Sequence, residues 1–152
     1  MRLWSVFWVV PALLAACGDK SAVSLSAFVS DAVVSVSDTA FGSGLAGSFR
    51  VQLSLGPEAS GSTQVSLGNF SLQTESGAPL VDVLELESDT AFPLQIDKGG
   101  SKDVNFTFKQ DSADRESVCA GKVRIVGSVM DSLKGGTDQV DSVAITPDCG
   151  AT

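Results

Sequence analysis

The chain has 152 residues, with 10 basic and 18 acidic side chains and a formal net charge of −8. It contains no histidine and no tyrosine, and its tryptophans are Trp4 and Trp8. Ser-His-Asp and Cys-His catalysis and imidazole metal ligation are thereby excluded. The acidic balance argues against nucleic acid and against direct docking on anionic head groups, while suiting a basic partner or plain solubility.

At the N-terminus, Met1 and Arg2 are positive, and Leu3 to Leu14 is apolar apart from Ser5 and Pro11. Small Ala15-Ala16 and then Cys17 follow. This is the layout of a secretory signal, and it falls short of the roughly 20 apolar residues needed to span a bilayer. Leu14-Ala15-Ala16-Cys17 resembles the lipobox of bacterial lipoproteins, Leu-(Ala/Ser)-(Gly/Ala)-Cys. The resemblance implies removal of residues 1–16, a diacylglycerol on the Cys17 sulfur and often a further acyl chain on the new amino terminus. Two or more chains anchor stably where one is marginal. Gly18 follows Cys17 where an aspartate would tend to retain the protein at the inner membrane, so the resemblance favours the outer membrane.

Removal of the signal takes away both tryptophans and only one charge, Arg2, so nine basic side chains face eighteen acidic ones. No Trp or Tyr is then left to stack on a sugar or to anchor a tight interface. Residues 17–22 read as the lipidated cysteine and a short tether, and 23–152 as one domain. The tether's Gly18 to Ala22 reach at most about 18 Å, which keeps that domain close to its membrane.

Val23, Leu25, Ala27 and Val29 alternate, the phase changes near Ser30-Asp31, and Val34 and Val36 continue. This predicts two short strands or one long strand with a break. Gly42-Ser43-Gly44-Leu45-Ala46-Gly47 fits G-x-G-x-x-G. A strand pattern (Phe49, Val51, Leu53, Leu55) follows it where a dinucleotide site needs a helix, so the segment reads as a glycine loop. Gly56 to Gly61 is a turn or loop. Val65 and Leu67 alternate, and Phe70 and Leu72 resume one residue out of phase, predicting a β-bulge at Gly68-Asn69.

Leu80 to Leu86 reads as a strand with Leu84 and Leu86 inward. Phe92, Leu94 and Ile96, then Val104, Phe106 and Phe108, flank Asp97 to Asp103 with its Gly99-Gly100 pair, which predicts a hairpin. Asp111 to Glu116 is a polar loop without the EF-hand spacing, so no metal is expected there. Asn69-Phe70-Ser71 and Asn105-Phe106-Thr107 match the glycosylation acceptor, but alternating Ser and Thr in strands explains both.

Cys119, Gly121, Val123, Ile125, Gly127 and Val129 share one phase; Val143, Ile145, Pro147 and Cys149 share another. Asp131 to Asp138 reads as the loop between them. Folding this pair about Lys134 sets Ile125 opposite Val143, Val123 opposite Ile145 and Cys119 opposite Cys149. Opposed residues lie within disulfide range. A Cys119–Cys149 disulfide is therefore predicted, worth a few kcal/mol by loop closure. An oxidising compartment permits it. With Cys17 taken by lipid, the odd cysteine is accounted for, and the spacing is unlike a C-x-x-C redox site.

Short alternating runs, glycine-rich turns and the absence of an amphipathic helix predict an all-β fold. The expected architecture is an antiparallel β-sandwich, immunoglobulin-like, with a small β-barrel as the alternative. The expected role is non-catalytic: a lipid-anchored binding or structural module of the cell envelope, meeting another envelope protein and needing no cofactor. The alternatives are an inhibitor of a secreted basic enzyme or a small-ligand carrier, and, further off, a carboxylate-dependent hydrolase using Asp82, Glu85 or Glu87.

Overall fold

Period-two alternation gives each strand one apolar face, and two such faces close on each other. The computed structural model describes residues 24–40 and 42–150; the signal, Cys17, the tether and Val23 lie outside them. The strands are β1 (Leu25–Thr39), β2 (Gly42–Leu55), β3 (Thr63–Leu67), β4 (Ser71–Thr74), β5 (Pro79–Val81) and β6 (Leu86–Ser88), then β7 (Leu94–Ile96), β8 (Ser101–Gln110), β9 (Val123–Asp131) and β10 (Gly136–Asp141). A helical turn, α1 (Arg115–Cys119), precedes β9.

One sheet has the order β1-β2-β8-β6. In the other, β9 is central. Asp131 pairs with both Val65 and Gly136, and Val126 with both Ser71 and Asp141. Thus β3 and β4 share one edge of β9 and β10 takes the other, with β7 beside β3 and β5 beside β4. All these pairings are antiparallel, and the protein is an all-β sandwich.

The core is the set of inward residues. Phe49 stacks on Phe106 at 5.1 Å between centroids and meets Phe70 at 5.2 Å. Phe49 and Phe106 come from one sheet, and Phe70 reaches them from the gap between β3 and β4, so the aromatic cluster ties the two layers together.

The break expected near Ser30-Asp31 is one extra residue in β1, between Ser30 and Val33, with Asp31 at φ 52°. The bulge expected at Gly68-Asn69 is also present. Leu67 pairs with Val129 and Ser71 with Val126, so the β3–β4 line carries one residue more than β9 across that step.

Several expectations need correction. The run Gly42 to Gly47 is not a loop but the start of β2, paired to β1 and β8. Gly47 serves close packing: a Cβ on it would sit 2.3 Å from the Phe108 ring and from the Val33 carbonyl oxygen. Leu80 to Leu86 is not one strand. β5 belongs to one sheet and β6 to the other, and the chain crosses between them, pinned by buried Leu84, whose N–H donates to the Phe70 carbonyl at 2.7 Å.

The hairpin expected across Asp97 to Asp103 is instead an arch. β7 pairs with β3 and β8 with β2, so the glycine turn carries the chain over the end of the sandwich. An arch and a hairpin bury the same alternating residues, so periodicity cannot separate them.

The final hairpin turns at 132–135, a tighter loop than the expected Asp131 to Asp138. Val123 does pair with Ile145. Val143, however, does not face Ile125. It is 78% exposed, while Ser142 is buried and hydrogen-bonds the Ile125 main chain. Cys119 lies at the end of α1 rather than in a strand, because Asp114 caps a helical turn there by accepting from the Ser117 N–H.

Candidate functional site

The strand registers define two ends. Leu25 pairs with Leu55, and the Leu55 N–H donates to the Gly100 carbonyl, so the start of β1 lies with the loop at 56–62 and the arch at 97–100. At the other end are the β1–β2 turn, the Asp111–Asp114 loop, α1, the turn after β4 and Cys149. The contacts that gather them are Ala113 N–H to the Ser43 carbonyl, Arg115 to Asp38 at 3.0 Å, and Arg115 to the Cys149 carbonyl.

The acidic excess is larger at one end than at the other. Where β1 begins, Glu58, Asp97, Asp103, Asp138 and buried Asp131 face Lys98, Lys102 and Lys134, and Lys134 is ion-paired to Asp138 at 2.7 Å. At the far end, Asp38, Glu75, Asp111, Glu116 and Asp148 outnumber Arg115 and Lys122. Asp114 adds to this excess, since the Ser117 hydroxyl and N–H hold its carboxyl below the usual range.

The predicted disulfide is present. Cys119 and Cys149 are bonded with Cα atoms 6.1 Å apart, and both half-buried residues pack on the core. The bond ties α1 to a C-terminal strap that joins the sheets. Ile145 bridges to Val123 of one sheet, and Asp148 exchanges main-chain hydrogen bonds with Val34 and Val36 of the other.

A concavity also lies at this far end. It is a cleft of about 760 Å³ with half-buried Leu80, Val81 and Ala113 beneath and Glu85, Asp111 and Asp114 on its rim. A second cleft of about 250 Å³ adjoins it, sharing Glu85 and Lys109 and adding Glu87. Both run along the outer edge of β8. Alternate β8 residues turn their main-chain groups to that edge: Asn105 accepts from Asp89 N–H, and Thr107 is paired with Glu87. The β6 ladder stops at the Leu86–Phe108 pair; beyond it Lys109 comes opposite Glu85, and the Gln110 side-chain amide donates to the Val83 carbonyl at 2.9 Å.

Of the carboxylates singled out in the sequence, Glu85 and Glu87 therefore meet the Asp111–Asp114 segment along one groove. Asp82 is exposed on the crossing and does not line it. Among the described residues, no group of three or more His, Cys, Asp or Glu side chains is placed to hold a metal ion. No helix among them is long and apolar enough to cross a membrane.

Two polar clusters escaped the sequence reading. Asp131 is 2% exposed; its Oδ1 accepts from the Thr63 hydroxyl and from the Leu133 N–H at 2.9 Å, and its Oδ2 has no partner. The Ser132-Leu133 step after an Asp was the available signal for this side-chain-capped turn. On the outer face of the four-stranded sheet, Asn105 links Arg50 and Asp89, and its side-chain hydrogen bond holds the Asp89 carboxyl below its ordinary range.

No protein-family model, curated protein or solved structure matches this chain.

Proposed function

We propose that the protein is a lipid-anchored module of the bacterial cell envelope, held at the outer membrane through Cys17 and acting non-catalytically by binding another envelope protein. The anchoring rests on the lipobox-like Leu14-Ala15-Ala16-Cys17 after a signal-like run. The observation that carries the binding role is the placement of the groove along β8. It lies at the end opposite the start of β1, where the tether would enter. A domain tied at one end offers its other end to partners.

Strand order supports an immunoglobulin-like assignment. β1-β2-β8-β6 faces β3/β4-β9-β10, as A-B-E-D faces C-F-G in such sandwiches, with β5 and β7 as additions. The disulfide differs from the inter-sheet pair of antibody domains, since it joins α1 to the C-terminal strap.

A second reading, inhibition of a secreted basic enzyme, is favoured by the acidic rim of the same groove. The test is crosslinking in intact envelopes. The account predicts one dominant protein captured by the wild-type chain and lost on competition with unlabelled protein. Absence of any specific capture refutes the binding role.

A further inference from the structure

We infer that the groove along the outer edge of β8 receives an extended, lysine- or arginine-bearing segment of a partner protein, which adds as a short strand beside Lys109. The inference rests on the binding role proposed above and specifies its surface and its chemistry.

Three features converge. The first is the strand edge. Main-chain N–H and C=O groups on a β edge are a template for another strand, and β6 covers this edge only opposite Phe106 to Phe108. Past the end of β6 the groove continues along this edge, lined by Lys109 and by Glu85 opposite it.

The second is the floor. Leu80 and Val81 come from the opposite sheet, where the chain leaves β5 to cross over, and with Ala113 they form a half-buried apolar base. An added strand places alternate side chains on opposite faces. One face of the segment would meet this base and the other the rim.

The third is charge. Glu85, Glu87, Asp111 and Asp114 ring the groove against Lys109 alone. Lys109 sits on the outward face of β8, so its main chain, not its ammonium, faces the incoming strand. None of Glu85, Glu87 and Asp111 is held in an ion pair among the described residues. A basic segment therefore finds carboxylates free to pair, and an acidic one is repelled.

The experiment uses the full chain in a non-ionic detergent and fluorescence polarisation of labelled octapeptides. The probes are (Lys-Val)4, (Glu-Val)4 and a (Lys-Val)4 carrying N-methyl groups at alternate backbone nitrogens. Saturable binding of (Lys-Val)4 but not of (Glu-Val)4 is expected. It should weaken about tenfold when salt rises from about 50 to 300 mM, because the rim charges are exposed and screened. A similar loss is expected on N-methylation, and again in the double variant Glu85→Gln with Asp111→Asn. Both substituted residues are exposed, so the fold survives their change.

Failure of (Lys-Val)4 to bind below about 1 mM, a level worth only about 4 kcal/mol, overturns the inference. So does equal binding of all three peptides, or unchanged binding in the double variant. Capture in intact envelopes then separates the two levels of the account. If the double variant still captures the partner, the binding role stands and this groove is not its surface. If the wild type captures nothing, the binding role itself falls.

Discussion

Gly127 in β9 lies under the Phe70 ring. A Cβ built there falls 2.3, 2.4 and 2.5 Å from Cδ1, Cε1 and Cγ of that ring. Ordinary carbon contacts need about 3.5 Å or more, so Gly127→Ala demands a shift of about 1.2 Å. The ring has nowhere to go. It is 1% exposed and lies against Phe49 at 5.2 Å and Phe106 at 6.1 Å. Overpacking a core by less than this costs about 1–3 kcal/mol, so the expected loss is about 3 kcal/mol. With a urea slope of about 1.5 kcal/mol/M, the unfolding midpoint drops by about 2 M. Gly121→Ala is the control, since a Cβ there meets nothing within 4 Å and the midpoint should hold or rise slightly. Phe70→Leu in the Gly127→Ala background should cost less than the two single changes added together. A Gly127→Ala midpoint within about 0.3 M of wild type would refute this account of the aromatic cluster.

Other outcomes follow from the same packing and hydrogen bonds. Replacing Cys119 and Cys149 together by alanine opens a loop of 30 residues; the chain-entropy relation gives about 3.6 kcal/mol, and a urea-melt loss under about 1 kcal/mol would contradict it. Asp131→Ala removes the acceptor for Thr63 and for the Leu133 N–H and should cost about 1–3 kcal/mol in the same assay, whereas no change would show that the turn holds without its carboxylate. Asn105→Ala removes the hydrogen bond that depresses the Asp89 carboxyl, so its NMR titration midpoint should rise; a midpoint that stays put assigns the depression elsewhere. The Asp114 carboxyl is also held below its ordinary value in the folded chain, by the Ser117 hydroxyl and N–H. Its contribution to stability is therefore present above about pH 3.8 and lost as pH falls below it, and Ser117→Ala should flatten the acid limb of the stability curve.

Strand faces were legible because burial imposes alternation: Val104, Phe106 and Phe108 point inward as their spacing requires. The β1 break was legible for the same reason. Val29 and Val34 are both buried at an odd spacing, and only an extra residue reconciles them. The disulfide was legible because folding the last two runs about Lys134 opposes Cys119 and Cys149; the helical turn that carries Cys119 was not, since five residues at Arg115–Cys119 are too few to show a period. Gly47 and Gly127 look like flexible positions in a sequence. Their reason, an aromatic ring across the sheet or between the sheets, belongs to tertiary contact alone. The groove was invisible as a unit. Its acids were noted separately at Glu85, Glu87 and Asp111–Glu116, but they meet only because the chain crosses between sheets after β5, a step that alternation read as continuous strand.

The proposed function requires polarity: anchor at one end, partner at the other. A photo-crosslinking residue placed at Asp111 in the full chain, and separately at Glu58, tests it in intact envelopes. The account predicts one discrete protein adduct from Asp111 and none from Glu58. The same adduct from Glu58, or an adduct from Glu58 alone, would contradict it.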